Sequence, residues 1–341
     1  MTKRRDAGIV LVVVLVFALL LASAVATFAR RATIDRLVSS NREATARAES
    51  LARGGVRLAT ALLLEDKLRE KQPGGFAGEA LTDLWAQAGL APLELEDGST
   101  LRLRIEDSGS KLNLNAVLHY DRSGAPNERT APFLDALLAK VIDEIPLPPE
   151  EKHYDRKQLV ANLIDYTDPD EVAQDGGSEN AAFEQGATAF RPANRPLLSV
   201  DELRQVEGFD APLVEALRPY VTVYPFVGTQ GVNPNTAPPY VLSLLYFDDG
   251  VELHLASEDV VRSLLAVRQK GGVVCGDGQS GDTCTPIREI VQNAIFPPPS
   301  FATDVFVVTA EARVGSVQRN IEAVLDRSEG ATPLLLSWRV L

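Results

Sequence analysis

The chain has 341 residues, with 47 Asp or Glu against 34 Lys or Arg, a formal net charge of −13. So acidic a balance excludes broad binding to nucleic acid or to anionic lipid, both of which reward Lys and Arg. An apolar fraction of 45% allows a sizeable core, and the length suits about two domains.

The first element constrains function most. A basic stub (Lys3, Arg4, Arg5) leads into an uncharged apolar run from Ile9 to Phe28. As an α-helix that run reaches about 30 Å, the hydrocarbon thickness of a bilayer. Three fates fit it. One is a secretory signal peptide cleaved among Ala22, Ser23, Ala24, Val25 and Ala26, although such apolar cores are shorter, about 7–15 residues. Another is a plain membrane anchor. The third is a prepilin-like leader cut between Gly8 and Ile9. Beyond the apolar run no Gly or Pro interrupts the helical pattern until Gly54. Residues 29–71 read as one long helix, with Leu37, Ala44, Ala48, Leu51, Leu58 and Leu62 on a 3–4 spacing and Asn41 and Gly55 completing the stripe. This narrow stripe suits close packing against other helices or a small sheet. Arg30, Arg31, Arg36, Arg42, Arg47, Arg53 and Arg57 make the stem basic, so the rest of the chain carries the acid.

Gly74-Gly75 ends the stem, and a short helix is predicted from Gly78 to Ala88. Leu101, Leu103 and Ile105 alternate with Arg102 and Arg104, the period of a half-buried strand. A turn comes next, then alternating Leu and Asn to Asn115. From Ala131 to about Val291 the pattern is helical. Phe133, Leu134, Leu137, Leu138 and Val141 make one apolar face. Ser199-Val-Asp-Glu202 is a capping box opening a helix through Val206, ended by Gly208. Asn235-Thr-Ala-Pro-Pro239 and Ser257-Glu-Asp259 open two more. Strands return from Phe306 to Val314, turn at Gly315-Ser316, come back through Leu325, and end in a run from Leu334 to Val340. The simplest topology is a small α+β domain split by a helical insertion.

Asp165, Asp168, Asp170, Glu171, Asp175 and Glu179 crowd into fifteen residues. Such a cluster repels itself unless a cation neutralises it, and hard oxygen ligands on a flexible loop suit Ca²⁺. It is not an EF-hand, since Val172 and Ala173 stand where a ligand and the invariant Gly are needed. A solvated acidic loop is the other reading. Cys275 and Cys284 flank a short Gly-rich loop, which reads as a local disulfide in an exported body. No further Cys or His lies near enough to make a metal pair of them.

Catalytic signals are poor. His119, His153 and His254 are not spaced as metal ligands, and there is no G-x-S-x-G, H-E-x-x-H or P-loop. Gly276 to Gly281 spells G-x-G-x-x-G, but without a strand before or a helix after it. Leu203 to Tyr220 resembles a helix-hairpin-helix unit, as used to bind DNA phosphates. Its hairpin, Gly208-Phe-Asp210, sets a carboxylate where phosphate would sit. A structural use therefore outweighs a nucleic-acid one.

Taken together, these pieces resemble the K-type minor pseudopilins of bacterial type II secretion. The matching residues are Gly8-Ile9 with the apolar run, Asp107 to Asn115, Leu163 to Asp170 with Gly177 to Glu179, Leu198 to Leu203, Val206 to Gly208, and Val232 to Ala237. Pro234 departs from the aliphatic residue more usual between the two asparagines. The resemblance implies an α+β, pilin-like fold: a long N-terminal helix on a small antiparallel sheet, with a large all-α domain inserted between strands. The corresponding divisions are a leader over 1–8, a helix over 9–71 that spans the membrane at 9–28, a body of 72–118 and 300–341, and an insertion of 119–299. It implies calcium held by Asp165, Asp168, Asp170 and Glu179, with Glu171 and Asp175 as further candidates. A prepilin peptidase is expected to cut before Ile9, whose new amine is then a site of methylation. The body is expected in the periplasm, single-pass in the inner membrane, among I- and J-type pseudopilins. Ordinary pilins carry Glu at the fifth mature position, where its carboxylate neutralises a neighbour's amine; here that residue is Val13. A subunit at the filament tip has no subunit above it that needs the carboxylate. The expected role is a non-enzymatic tip cap that helps initiate the pseudopilus. The alternative is a membrane-tethered DNA receptor using the helix-hairpin-helix units.

Overall fold

The computed structural model describes residues 6–70, 78–118, 127–148, 152–174, 176–180, 191–248, 252–277, 284–330 and 332–341. Helix α1 (Asp6–Glu70) runs unbroken for 65 residues, about 98 Å at the helical rise. Ile9 to Phe28 is exposed throughout, and this stretch is long and apolar enough to cross a membrane. Farther along, Ala48, Ala52, Val56, Ala59 and Leu63 form a buried stripe. Their spacing is helical, and their small size lets the helix lie close to a sheet. At the closest point, a Cβ on Gly55 would stand 2.9 Å from methyls of both Leu101 and Leu103. The predicted stripe is only partly the buried one. Leu37 and Leu58 stay exposed and Leu51 and Leu62 pack at its margin, because two neighbouring rows share the 3–4 spacing.

After the stem, helix α2 (Leu84–Gln87) is a single turn instead of the predicted 78–88. Asp83 accepts from the Ala80 amide at 2.6 Å and folds the preceding residues into a turn. Strands β1 (Leu93–Glu94) and β2 (Thr100–Asp107) come next. The insertion then begins with β3 (Leu112–Asn113) and helices α3 (Leu114–Leu118), α4 (Thr130–Glu144) and α5 (Arg156–Thr167). It continues through α6 (Ala211–Leu217), β4 (Val221–Thr222), α7 (Pro239–Leu242), β5 (Tyr246–Asp248) and β6 (Leu253–Leu255). Helix α8 (Glu258–Gln269), β7 (Val273–Cys275), β8 (Cys284–Pro286) and β9 (Ile295–Phe296) complete it. The chain ends in β10 (Val305–Val314), β11 (Val317–Asp326) and β12 (Leu334–Val340).

The body is one antiparallel sheet of order β1-β2-β10-β11-β12. Leu103 sits beside Ala310, and Ala310 beside Ile321, so one face collects Leu101, Ile105, Val308, Ala312 and Ala323 under α1. Trp85 closes this core edge-on to Phe306, with ring centroids 5.3 Å apart. The predicted turn at Gly315-Ser316 joins β10 to β11, with Gly315 at φ +59°.

The insertion has its own core, around Phe133, Leu137, Leu163, Leu203, Leu213 and Phe296. It differs from an all-α domain in carrying three small sheets: β3 beside β4, β6-β5-β9, and β7 beside β8. Strands of two or three residues are too short to show a period of two. Its core also starts earlier than residue 119, because β3 pairs in parallel with β4 and draws Leu112, Leu114, Val117 and Leu118 inward. Two helix starts also differ. Ser199 Oγ accepts from the Glu202 amide as the capping box requires, but only a short 3-10 helix results, over Val200–Gln205. Glu202 turns its own carboxylate to the Leu198 amide (2.8 Å) and to Arg195 (2.6 Å). Asn235 spends its side chain on both backbone groups of Val274, so the helix waits until Pro239.

The insertion leaves the body at the end of β2 and returns at the start of β10. The last turn of α1 lies at this same end, where Lys67 reaches Asp304 at 3.3 Å. The β10–β11 turn lies at the opposite end, beside Leu37 to Arg47 of the stem. The insertion therefore sits at the end of the body farthest from the apolar segment.

One buried cation closes that end. Arg327 is 3% exposed and donates to Asp66 (3.1 Å), Glu70 (2.6 Å), Glu79 and the Leu63 carbonyl (3.1 Å). Burial outweighs the pull of Arg327 on Glu79 and pushes its carboxyl up to about 9, with Asp107, Glu70 and Asp66 adding repulsion. A group whose folded pKa is raised contributes stability fully below its unfolded pKa and loses it as pH rises through the folded value. The full chain is therefore expected to lose stability between about pH 6 and about pH 9, and Glu79→Gln to flatten that slope. Denaturant titrations at the two pH values test this; parallel profiles for both proteins would contradict it.

Candidate metal centre

Helix α5 delivers the first two acids. Asp165 stands in its last turn and Asp168 caps its C-terminus. Carboxylates are unfavourable there, because the helix end already carries partial negative charge. The chain then folds back: Val172 bridges to Ser178, the Ala173 amide donates to the Gly177 carbonyl, and the Ala173 carbonyl accepts from the amide of Gly176, which adopts φ +86°. This return lays Glu179 over the helix end. Side-chain oxygens of Asp165, Asp168 and Glu179 lie within 4.8 Å of one another.

Asp168 Oδ1 and Glu179 Oε1 are buried and receive no hydrogen bond from the described residues. Burial, then the charge of Asp170, pushes the Asp168 carboxyl up to about 6. Burial and the charge of Asp168 push Glu179 up to about 7. Orphaned carboxylate oxygens converging at a helix C-terminus fit a hard divalent cation. Each of the three carboxylates offers one oxygen to the shared point, while Asp165 Oδ1 accepts from the Gln174 amide at 3.0 Å and Glu179 Oε2 from Asn194; a Ca²⁺ ion, which takes about 6–8 oxygens, would need further ligands beside them.

The other sequence candidates are placed differently. Asp170 is exposed and uses Oδ1 to accept from the Val172 amide at 2.8 Å. Glu171 is exposed, with its carbonyl facing the Glu179 amide. Asp175 lies outside the described residues, as do His119 and most of the Gly276–Gly281 run. One contributor has no sequence signal beyond being polar in a Pro-flanked stretch. Asn194, at φ +48°, donates to the Asp170 carbonyl and to Glu179 Oε2 (3.3 Å), fixing the return strand of the loop.

Cys275 and Cys284 are joined in a disulfide, with Cα atoms 5.9 Å apart, and clip β7 to β8. The helix-hairpin-helix segment is used internally. Asp210 caps α6 by accepting from the Leu213 amide at 3.0 Å and takes a bond from Tyr154 at 2.9 Å. Its carboxylate is thus committed to internal hydrogen bonds.

A long helix on an antiparallel sheet, with a large domain inserted between two strands, defines a pilin-like α+β protein. A solved complex of GspK, GspI and GspJ from enterotoxigenic Escherichia coli contains a similar chain. The two share a TM-score of 0.59 at 18% identity, over 90% of this chain and 99% of that one. Residues 110–226 match the family described as type II secretion system, protein K. The type II secretion system protein K of Pseudomonas aeruginosa is 29% identical over 72% of this chain and 69% of its own length. That of Klebsiella pneumoniae is 29% identical over 79% and 77% respectively. Over these spans the chain is similar to the type II secretion protein K family.

With a chelator present above about pH 7, Asp168→Asn is expected to raise the melting temperature by relieving the three-carboxylate repulsion. An unchanged melting temperature would argue that the cluster is not strained.

Proposed function

We propose that the chain is a non-enzymatic minor pseudopilin that caps the tip of a type II secretion pseudopilus and helps to start its assembly. The observation that carries this reading is the position of the insertion. It stands at the end of the body opposite the apolar stem, on the path a further subunit would occupy if it stacked above. The stem offers a single helix to the membrane, so the reading places the body in the periplasm and the anchor in the inner membrane. A disulfide in the insertion suits that oxidising side.

Cleavage by a prepilin peptidase between Gly8 and Ile9 frees an amine at Ile9, the site for methylation. The fifth mature residue is Val13, with no carboxylate to offer a neighbour. A buried ammonium without a partner is costly, so a subunit with Val13 fits best where no neighbour above depends on it. The partners are then the I- and J-type pseudopilins, contacted below through the stem.

Calcium belongs to the same proposal. Asp165, Asp168 and Glu179 would hold it, with Asn194 orienting Glu179. Bound, the ion supplies the positive charge that the end of α5 lacks and ties the loop to the helix. Repeating the Asp168→Asn comparison in calcium is expected to reverse the order of stability. N-terminal sequencing of the mature protein tests the wider reading: Ile9 is the expected first residue, and any other start would overturn it.

A further inference from the structure

A buried chain of polar contacts runs from the stem into the insertion. At its lower end Arg327 takes Asp66 and Glu70 from the last turn of α1 and, on the same side chain, Glu79 and the Thr303 carbonyl (3.4 Å). Its guanidinium lies 4.7 Å over the ring of Phe306. Glu79, fully buried, is fixed by Trp85 Nε1 at 2.9 Å and by its own amide on the Phe301 carbonyl at 2.8 Å. Its carbonyl accepts from Asn233 Nδ2 at 3.3 Å. The same nitrogen donates to Asp107 Oδ2 at 2.9 Å, and Asp107 also takes Thr236 Oγ1 and the Gly109 amide, each at 2.6 Å. The Asn233 amide returns to the Gly109 carbonyl at 2.7 Å.

We propose that this chain, Arg327–Glu79–Asn233–Asp107, is a coupling latch that makes the docking of the last turn of α1 and the anchoring of the insertion root one cooperative event. Asp107 and Gly109 lie where the chain enters the insertion, Phe301 where it leaves, and Asn233 and Thr236 between its two halves. Glu79 joins this set to the stem end through the Phe301 carbonyl and the Asn233 side chain. Glu79 in turn depends on Arg327, and Arg327 is a buried cation whose counter-charges come from α1. Undocking that turn removes Asp66 and Glu70 and leaves Arg327 short of negative charge in a low-dielectric site. A buried charge that loses its partners does not stay in place. When Arg327 moves, Glu79 loses its partner and the insertion root loses its fixed point. The link is reciprocal, because each end must change the other by the same factor.

The device bears on assembly. A stem that is not seated leaves the insertion loosely rooted, and only the seated stem presents it rigidly. Hydrogen exchange on the full chain in detergent tests this. The variant Asp66→Asn with Glu70→Gln alters only α1, whereas the hydrogen bonds of Asn233 go to Glu79, Asp107 and Gly109. Exchange at the Asn233, Thr236 and Ala237 amides is expected to rise about tenfold or more, with α5 unchanged. A rise confined to the end of α1 and to Arg327 would overturn the proposal. Should that variant fail to fold, Asn233→Ala reads the link from the other side. Amides of Lys67 to Glu70 are then expected to exchange about tenfold faster, and an unaffected helix end would overturn it equally.

Discussion

Gly55 brings α1 so near to β2 and β10 that a side chain there would meet the methyls of Leu101 and Leu103. That close approach fixes the placement of every other part of the body. It sets the helix across the sheet on a face of Ala52, Val56, Ala59 and Leu63, and so decides where the helix ends. The end falls beside β10 and Arg327, where Asp66 and Glu70 are needed as counter-charges. A stem seated one row around the helix would bury Leu51 and Leu58 and turn those acids away from the guanidinium. Packing and electrostatics therefore select the same orientation.

The two acidic centres show opposite solutions to one problem. At the end of α1 the protein supplies its own cation, and Arg327 offsets part of the burial that pushes the Glu70 and Glu79 carboxyls up. At the end of α5, Asp168 Oδ1 and Glu179 Oε1 stay buried without donors among the described residues. The first arrangement is a fixed structural tie. The second keeps carboxylate oxygens that the proposed calcium ion would satisfy.

Much of this was legible in the sequence where a pattern is long. The stem, the β10–β11 hairpin and the apolar face of α4 each repeat their period several times, so they stand out from chance. The split α+β body emerged from their order, and the pilin-like class from the resemblance that the motifs carry. The short strands of the insertion did not show, since Leu112–Asn113 or Ile295–Phe296 hold no period to detect. Asp170 and Glu179 look alike in a row of acids, and only the return at Gly176 decides that Glu179 turns inward and Asp170 outward. Asn194 and Arg327 act through distant chain segments. A lone arginine after a strand reads as solvated until the fold brings Asp66, Glu70 and Glu79 around it.

The central claim is that the insertion stands at the free end of the filament. Electron microscopy of pseudopili carrying a label on the exposed face of the insertion, for example at Val227, tests it most directly. The account predicts one label per filament, at the end away from the membrane. Labels repeating along the shaft would contradict it.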